Sequence, residues 1–544
     1  MSTTEVSGSS RQAFLATLAA AAGALFVWYD FFLFVALGGL VGARFLPEGG
    51  GGFGFALAAV AAGLIMRPVG ALLFGRIADK RGRRRALLAS LLVMGLSTLV
   101  LGLLPTRAQI GMAAPVLLIG LRLVQGLALG GAPSAGLVYV AEIAPPKQRG
   151  LYTGLIQAAG TAGLALAIGA AIAAHTALGD KAFEGWGWRI PFLVSALLLA
   201  LWAWLRLRLP ESPVREVETT KPLAESLASG ASLKRLFPAL FGVAIGPAVV
   251  AQGGQLYALS FLQDVLHVDP AAAQSLILPA LAAGAPFFVL FGWLSDKIGR
   301  KWLVMAGCGL FAIAVIPLFS MLIAAANPSL TRAQANARVQ LVADPKDCSV
   351  LFDPTDRIVF KRSCDIARDF LVRAGIPYKV ERAYPRQMAG VQVGDCATCY
   401  VDSFRGARLS VRGFQAESDD FSRRMGSVLA HQRYPASAPT ILIDKPKVMA
   451  ILFALVALAA MSGGPAGAML AEMFPARVRG LSVSLTSQLA QGWFGGLLAA
   501  SAFAIVATTG NLAFGMLYAV FFAALTVIVG AINLAETRAV DIGA

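Results

Sequence analysis

Twelve long apolar runs constrain this chain more than any other feature of its sequence. Each run approaches the roughly 20 residues that an α-helix needs to cross the hydrocarbon core of a bilayer. Most of the runs lack the polar face that a surface helix of a soluble protein keeps. The sequence therefore predicts a polytopic membrane protein. The runs are 13–43, 53–74, 86–104, 114–140, 151–174, 190–205, 237–262, 273–294, 302–325, 448–470, 481–507 and 511–534.

The lysine and arginine residues indicate how the runs are oriented. With the N-terminus inside, the inward-facing segments hold 21 of these residues and the short outward loops hold four. The positive-inside rule then places both termini in the cytoplasm. The net charge of +16 is spread over loops and not gathered on one face, so it predicts no nucleic-acid partner. The first run is too long for the core of a signal peptide and is expected to remain as the first helix.

One charged cassette occurs twice. GRIADKRGRRR at 75–85 and GWLSDKIGRK at 292–301 each lie between the second and third run of their half. Six runs plus six runs with a matched internal loop predict two parallel repeats. The glycines of the cassettes allow tight turns and close helix approach. Each cassette aspartate lies where a carboxylate can meet a helix N-terminus or an arginine.

These features resemble the major facilitator superfamily, whose signature loop is G-x-x-x-D-(R/K)-x-G-R-(R/K), and the resemblance covers all twelve runs. Further motifs resemble the metabolite:proton symporter branch, which includes carriers for proline/betaine, α-ketoglutarate and shikimate. These motifs are VWYDFFLF (27–34), MRPVG (66–70), RLVQGLALGG (122–131), AEIAPPKQRG (141–150), GWGWRIPF (185–192), RLRLPESP (206–213) and AEMFPARVRG (471–480). The resemblance implies an all-α membrane fold of two six-helix halves that work by alternating access. It also implies cytoplasmic gate motifs at Arg67, Gly75, Asp79, Arg83, Glu142, Arg149, Gly292, Asp296 and Arg300.

Two positions depart from that family pattern. The family usually carries glutamate before the WYD-type triplet of the first run, where this chain has Val27. It often carries glutamate after the paired glycines of the fourth run, where this chain has Ala132. Both departures remove acidic groups from the pathway, so details of substrate and coupling do not transfer directly.

Three charged residues lie inside the apolar runs: Asp30, Arg67 and Arg122. A charged residue at mid-span costs about 2.5–3.5 kcal/mol on the translocon scale, so each needs a partner or a function. Asp30 and Arg122 lie at similar depths, and we expect Asp30 to be the protonation site with Arg122 as its counter-charge. The alternative is a static ion pair that only fixes helix packing. Arg67 lies beside Pro68 and is expected to brace the cytoplasmic gate.

Uncharged polar residues supply the candidates for the substrate cavity. They fall on the first, fourth, fifth and seventh runs, whose counterparts surround the site in the resembled fold. In a bilayer such side chains serve equally well as contacts between helices. The candidates are Tyr29, Gln125, Gln157, Gln252, Gln255 and Tyr257.

An insert of about 120 residues, 327–446, separates the ninth and tenth runs and is expected outside the cytoplasm as a small α+β domain. It divides the chain into 1–210 (first half), 211–236 (cytoplasmic linker), 237–326, 327–446 and 447–544. The oxidising compartment favours two disulfides, and three pairings are possible. The most direct pairing joins Cys348 to Cys364 and Cys396 to Cys399. A redox pair or half a metal site at DCATC (395–399) lacks supporting context in the sequence, and Cys308 is expected to be buried and inert.

The sequence contains no nucleotide-binding loop, which favours an ion gradient as the driving force. We therefore predict a monomeric secondary transporter of a bacterial cytoplasmic membrane, not an enzyme, that carries a small carboxylate or zwitterion with a proton. No cofactor or metal is expected. The alternatives are an uncoupled facilitator or exporter of the same fold and, less favoured, a transporter-like sensor that uses the insert as its receptor.

Overall fold

The computed structural model describes residues 10–45, 52–81, 83–208, 230–351, 359–396, 398–538 and 540. Its first six long helices form what we call the N-half. They are α1 (Ser10–Ala36), α2 (Gly52–Arg81), α3 (Arg83–Leu103), α4 (Ala113–Ile143), α5 (Arg149–Leu178) and α6 (Ile190–Arg208).

Six further long helices form the C-half. They are α7 (Lys234–Val265), α8 (Pro270–Ile298), α9 (Arg300–Ala326), α13 (Lys445–Met473), α14 (Val478–Thr509) and α15 (Leu512–Asn533). Among the described residues, ten of the twelve helices are long and apolar enough to cross a membrane. The other two, α3 and α6, overlap the shorter apolar segments Leu88–Leu103 and Gly187–Ala200. The predicted twelve-helix architecture is confirmed.

The C-half cassette forms the predicted tight turn between α8 and α9. Its Gly299 has a φ of 110°, a backbone conformation that residues with a Cβ atom rarely adopt. The turn is the single residue Gly299, which joins the end of α8 directly to the start of α9. The equivalent Gly82 of the N-half lies outside the described residues.

Helices α7 and α14 contain π-helical turns. Three lie in α7, at Leu240–Ala244, Gln252–Tyr257 and Phe261–Val265, and one lies in α14, at Ala490–Phe494. A π-turn widens the helix and rotates the side chains that follow it, and such turns are frequent at functional sites. Both helices face the N-half across the middle of the bundle.

The insert between α9 and α13 folds around a four-stranded sheet. Its helices are α10 (Pro328–Asn336), α11 (Ser363–Arg373) and α12 (Val411–His431), and its strands are β1 (Val339–Ala343), β2 (Lys379–Arg382), β3 (Gly390–Val393) and β4 (Tyr400–Asp402). The strand order is β2-β1-β3-β4, with β1 parallel to β2 and the other pairs antiparallel. Leu341 and Val391 of the sheet and Leu371 and Met425 of the helices are buried in its core. The predicted α+β insert is confirmed.

The insert is attached to helix ends of the C-half. Tyr378 donates from its backbone nitrogen to the Gly510 carbonyl (2.9 Å) and from its hydroxyl to the Ala507 carbonyl (2.5 Å), both at the end of α14. Burial raises the pKa of Tyr378, so its hydroxyl stays protonated and keeps donating. Ala438 donates to the His267 carbonyl just after α7 (3.0 Å). These anchors fasten the insert to the C-half at the end of the bundle that we call the insert end.

Candidate functional site

A cavity of about 130 Å³ lies between the N-half and the C-half. Helices α1, α4 and α5 supply one wall, and α7, α8, α13 and α14 supply the other. None of the described residues that line it carries an ionisable side chain. The polar and aromatic members of the wall are Trp28, Phe32, Ser134, Gln157, Thr161, Gln252, Gln255, Phe288, Ser487, Gln488 and Gln491. The arrangement suits recognition by amides, hydroxyls and aromatic faces.

Three of the six predicted cavity residues lie in this wall. Gln157 donates to the Gly463 carbonyl (3.1 Å) and Gln255 donates to the Thr161 hydroxyl (3.0 Å), so each amide joins the two halves. Gln252 and Gln255 both lie in the π-turn Gln252–Tyr257. Both amides of this turn line the cavity, and that of Gln255 reaches the N-half.

The other three predicted residues lie behind the wall. Tyr29 donates to the Pro191 carbonyl (3.3 Å) on α6, inside the N-half. Tyr257 is buried among aromatic rings, with the rings of Phe261 and Phe319 5.9 and 5.8 Å from its own. Gln125 is fully buried and bonds Arg122 and Thr98.

Asp30 is 1% exposed and is surrounded by hydroxyl groups. The Ser195 hydroxyl of α6 donates to Asp30 Oδ1. The Thr98 hydroxyl of α3 lies 3.3 Å from Asp30 Oδ2 and 3.0 Å from the Met94 carbonyl, and it can donate its single proton to either. The carboxylate thus faces α3 and α6, whereas Trp28 and Phe32 of the same helix face the cavity.

Arg122 connects to Asp30 through two intermediates. Its Nη1 donates to Gln125 Oε1 (2.7 Å), and Gln125 Nε2 donates to Thr98 Oγ1 (2.9 Å). The guanidinium also stacks against Phe31 and Phe34, with its Cζ 4.5 and 4.4 Å from the two ring centroids. The predicted proton-coupling residues are therefore joined by a chain of hydrogen bonds and not by an ion pair. Arg122 does not line the cavity.

Arg67 lies near the middle of α2 and contacts the cavity wall from behind. Its Nε donates to Gln488 Oε1 (2.8 Å) and its Nη2 to Gln491 Oε1 (2.6 Å), both on α14. The remaining nitrogen, Nη1, is buried and has no hydrogen-bond partner in the described part of the chain. Arg67 is thus a fully buried cation whose two amide partners form the cavity surface. The sequence led us to expect it nearer to the gate.

Ion pairs close the opposite end of the bundle from the insert, which we call the ion-pair end. Glu142 pairs with Arg479 (3.1 Å) and Arg149 pairs with Glu472 (3.5 Å). The first residue of each pair belongs to AEIAPPKQRG and the other to AEMFPARVRG, so the two copies of one motif pair reciprocally across the halves. Arg300 also contacts Glu472 (2.7 Å), which joins the C-half cassette to this network.

Asp296 of the C-half cassette caps a helix of the N-half. Its two carboxylate oxygens accept from the backbone nitrogens of Gly150 and Leu151, both at 2.8 Å, at the start of α5. A carboxylate at a helix N-terminus is favourable because it bonds free N–H groups and meets the positive end of the dipole. The backbones of Gly150 and Gly292 approach so closely that a Cβ on either would lie 2.3 Å from the other's carbonyl oxygen.

The N-half cassette is described only in part. Gly75 lies against Leu481 of α14, where an added Cβ would be 3.1 Å from the leucine side chain. The side chains of Asp79 and Arg83 lie outside the described residues, and so does that of Ala132. Val27 is fully buried.

A strap formed by residues 534–538 and Val540, after α15, lies at the ion-pair end. Glu536 accepts from the backbone nitrogens of Arg300 (2.9 Å) and Lys301 (3.1 Å) at the start of α9 in the C-half. Arg149 of the N-half donates to the Val540 carbonyl (2.8 Å). The strap therefore contacts both halves at the end that the ion pairs close.

The sequence interpretation missed several residues of these networks. Ser195 is the single hydroxyl of its apolar run and Thr98 follows Ser97 in another, and no periodicity distinguishes them from packing residues. Gln488 and Gln491 share one helix face at i and i+3, which is a signal that was available. Glu472 and Arg479 were visible as the second copy of AEIAPPKQRG.

The described insert contains the disulfides Cys348–Cys364 and Cys396–Cys399. The free Cys308 is buried in α9. In the part of the chain that the structure describes, no cluster of three His, Cys, Asp or Glu residues is placed to hold a metal ion.

Comparison with known proteins places this geometry in a family. A family model described as Major Facilitator Superfamily matches residues 49–331. An α-ketoglutarate permease of Escherichia coli (strain K12) is 32% identical over 324 residues, which span 59% of this chain and 75% of the permease. A putative proline/betaine transporter of Staphylococcus haemolyticus is 32% identical over 308 residues, 54% of this chain. That match spans 64% of the relative, slightly under two thirds of its length.

Solved structures agree on the fold. A proton:xylose symporter superposes with a TM-score of 0.56 over 95% of both chains at 18% identity. The xylose transporter XylE from E. coli, in a partially occluded inward-open conformation, gives 0.54 over 98% of this chain and 100% of that one at 17% identity. At such identities the likeness shows the fold alone. With the family model matching more than half of the sequence, the chain belongs to the Major Facilitator Superfamily.

Proposed function

We propose that this protein is a secondary transporter that moves a small polar metabolite together with a proton by alternating access. The observation that carries the proposal is the buried Asp30. Its carboxylate lies on a different face of α1 from Trp28 and Phe32, which line the cavity between the halves. A carboxylate inside a bilayer is costly and marks a functional site by default. Its neighbours are hydroxyls, which can donate to the ionised form and accept from the protonated form.

The proton step follows from the two positions available to the Thr98 proton. When Asp30 is ionised, the Thr98 hydroxyl donates to Oδ2 and Ser195 donates to Oδ1. When Asp30 is protonated, Thr98 can donate to the Met94 carbonyl instead and accept from the acid. Because Thr98 also accepts from Gln125, and Gln125 accepts from Arg122, the change of charge reaches the guanidinium.

The cavity chemistry favours a small carboxylate or zwitterion as the substrate. Its wall offers amides, hydroxyls and the stacked rings of Trp28 and Phe32, whose centroids are 5.3 Å apart. A substrate carboxylate would find its nearest positive charge in Arg67, immediately behind Gln488 and Gln491. The names of the α-ketoglutarate and proline/betaine relatives fit this class.

The contacts at the two bundle ends support alternating access. At the ion-pair end, several bonds join the halves and would have to break together for that end to open. At the insert end, Gln274 of α8 donates to the Ala36 carbonyl of α1 (2.7 Å), so the halves also meet there. We infer a compact state in which the cavity lies between two closed ends.

The charge distribution supports an orientation. The positive-inside rule puts the ion-pair end and both termini in the cytoplasm and the insert outside it. The bacterial relatives support a bacterial inner membrane as the location. The two disulfides of the insert fit an oxidising compartment on that side.

An uncoupled facilitator or an exporter of the same fold is the second candidate. Val27, buried where the resembled branch carries glutamate, favours it because one acid of the pathway is missing. A sensor is a third possibility, and it predicts ligand binding to the insert with no flux through the bundle.

Purified protein in liposomes tests the proposal. With the lumen negative by 100 mV and one pH unit more alkaline than the exterior, a proton supplies about 2.3 plus 1.4 kcal/mol, enough for a few-hundred-fold accumulation of a neutral solute. Pools of carboxylates and zwitterions are screened for proton influx with a trapped pH dye. We expect one pool to cause proton influx in the wild type and in Asp419→Asn, a control at an exposed surface position. We expect that influx to be lost in Asp30→Asn.

Retained coupling in Asp30→Asn refutes the proton site. Solute uptake without proton influx establishes the facilitator.

A further inference from the structure

We propose that the Cys396–Cys399 pair of the insert is a thiol–disulfide exchange site, whereas Cys348–Cys364 is a structural crosslink. The pair closes a C-x-x-C turn between β3 and β4 with only three residues of separation, against 16 for the other disulfide. The surroundings of the two disulfides differ in three respects.

The first respect is what holds the chain in place without the crosslink. Backbone nitrogens at both ends of the C-x-x-C turn are already bonded: Val393 donates to the Cys399 carbonyl and Cys399 to the Cys396 carbonyl, both at 3.1 Å. The Gln392 amide donates to the Gly394 and Cys396 carbonyls, both at 2.8 Å. A crosslink over so short a loop also removes little entropy from the unfolded chain. These bonds therefore hold the described residues on both sides of the pair without the crosslink.

The second respect is the group facing each sulfur. Gln432, directly after α12, donates from Nε2 to Cys399 Sγ (3.2 Å), and the Thr398 hydroxyl lies 3.1 Å from Cys396 Sγ. Donors of this kind stabilise a thiolate, the reactive form of cysteine. At the other disulfide, Cys348 Sγ faces the Asp344 carbonyl (3.5 Å), and the Asp347 carboxylate accepts from the Cys364 backbone nitrogen (3.3 Å). Oxygen lone pairs and a negative charge oppose a thiolate there.

The third respect is access. Cys396 is half-buried beside the exposed Asp395 and Thr398, so an attacking thiol can reach its sulfur, while Cys399 is 2% exposed. One reachable sulfur and one shielded sulfur suit exchange because attack is directed to a single position. Cys364, by contrast, is fully buried.

The exchange is a balanced two-electron step with a small thiol such as glutathione as co-reactant. A thiolate attacks Cys396 Sγ, the Cys396–Cys399 bond breaks, and its electron pair leaves on Cys399 Sγ, where Gln432 donates to it. A second thiolate then attacks the co-reactant sulfur of the mixed disulfide and releases Cys396. Two thiols become one disulfide, and the insert gains two electrons and two protons.

The test uses the full-length protein in lipid nanodiscs, equilibrated with glutathione buffers of graded reducing strength. Free thiols are then alkylated and located by mass spectrometry. We expect Cys396 and Cys399 to become labelled together while Cys348 and Cys364 stay unlabelled, with no labelling of the insert in the double variant Cys396→Ser/Cys399→Ser. Reduction of both disulfides over the same range, or resistance of Cys396–Cys399 until the protein unfolds, would overturn the proposal.

A pair of glutamine variants separates thiolate stabilisation from simple exposure. Gln432→Leu removes the donor to Cys399, and we expect the exchange equilibrium to shift about tenfold toward the disulfide. Gln392→Leu removes two bonds of the same turn without touching a sulfur and serves as the matched control. A shift confined to Gln432→Leu supports the assigned role. Equal shifts in both variants, or none in either, would show that Gln432 does not stabilise the leaving thiolate and would refute the exchange site as described.

Discussion

The N-half and the C-half share one architecture but divide the chemistry between them. The N-half carries Asp30, Arg67 and Arg122 in the middle of its helices, whereas the middles of the six C-half helices contain no charged residue. The C-half instead presents amides on π-turns toward the cavity and carries the insert. The comparison teaches that duplication supplied two matched scaffolds and that buried charge is concentrated in one of them. We infer that proton chemistry belongs to the N-half and much of the substrate recognition to the C-half.

The two halves are most alike at the reciprocal ion pairs. Breaking one of these pairs should give the largest of the predicted effects, which is opening of the ion-pair end. The Glu472 side chain is fully buried and shared by two arginines, whereas that of Glu142 is 10% exposed. Removing one partner of a buried pair costs about 3–5 kcal/mol. We expect Glu472→Gln to open the ion-pair end far more than Glu142→Gln does.

The measurement for this prediction is the labelling rate of a cysteine placed in the cavity wall, Ser487→Cys, by a maleimide added at the ion-pair end. Cys308 is buried and the other four cysteines are paired, so the background is low. A stabilised open state should raise the rate at least about tenfold. Equal rates in the two glutamate variants would mean that the ends of the two repeats are equivalent after all.

The second prediction concerns the hydroxyls around Asp30. The double variant Thr98→Val/Ser195→Ala leaves an ionised Asp30 without its donors, and a hydrogen bond to a charged group contributes about 1.5–3 kcal/mol. Proton-driven accumulation should fall at least about tenfold while substrate exchange without a gradient persists. The control is Thr526→Val, which removes a buried hydroxyl of the C-half. Loss of coupling in the control would contradict the division of labour.

The third prediction concerns the amides. Gln252→Leu should raise the half-saturation concentration about fivefold, since a single neutral hydrogen bond contributes about 1 kcal/mol. Gln157→Leu is the matched change on the N-half wall. Concentration-dependent uptake under a fixed proton gradient measures both. If Gln157→Leu has the larger effect, recognition is not concentrated in the C-half.

The smallest effect is expected in the insert. The backbone nitrogens of Arg386 (2.8 Å) and Lys346 (3.0 Å) donate to Asp344 and hold the pKa of its carboxyl below the usual range. A lowered pKa means that this stabilisation is present at neutral pH and disappears as the pH falls below about 4. Asp344→Asn should therefore speed hydrogen exchange at the backbone amides of Lys346 and Arg386 at pH 7, corrected for intrinsic rates. A difference that persists unchanged well below pH 4 would argue against the carboxylate as its cause.

The sequence predicted those features of the molecule that depend only on the order of residues along the chain. The twelve helices follow from hydropathy, and the duplicated cassette follows from its own repetition. The depths of Asp30 and Arg122 indicated that they belong to one network. The intervening Gln125 and Thr98 were not predictable as connectors because hydrogen bonds between α1, α3 and α4 depend on how the helices are rotated.

Arg67 is a second residue whose contacts could not be predicted from the sequence. Beside Pro68 and close in sequence to the first cassette, it was assigned to the gate. Its partners are 421 and 424 residues away on α14, in the other half. No local pattern reports a contact that exists only after the two halves have packed together.

The strap after α15 has a consequence for how the molecule is made. Arg149 leaves the ribosome with the N-half, but the Val540 carbonyl that accepts from it is synthesised only after all twelve helices. At about 5–20 residues per second, the intervening 391 residues take roughly 20–80 seconds to translate. The cross-half bonds to Asp296, Glu472 and Arg479 become available one after another within that interval, and the bond to the strap becomes available last. The ion-pair end is thus a seam that only the strap completes, and a chain released before the strap leaves that seam incomplete.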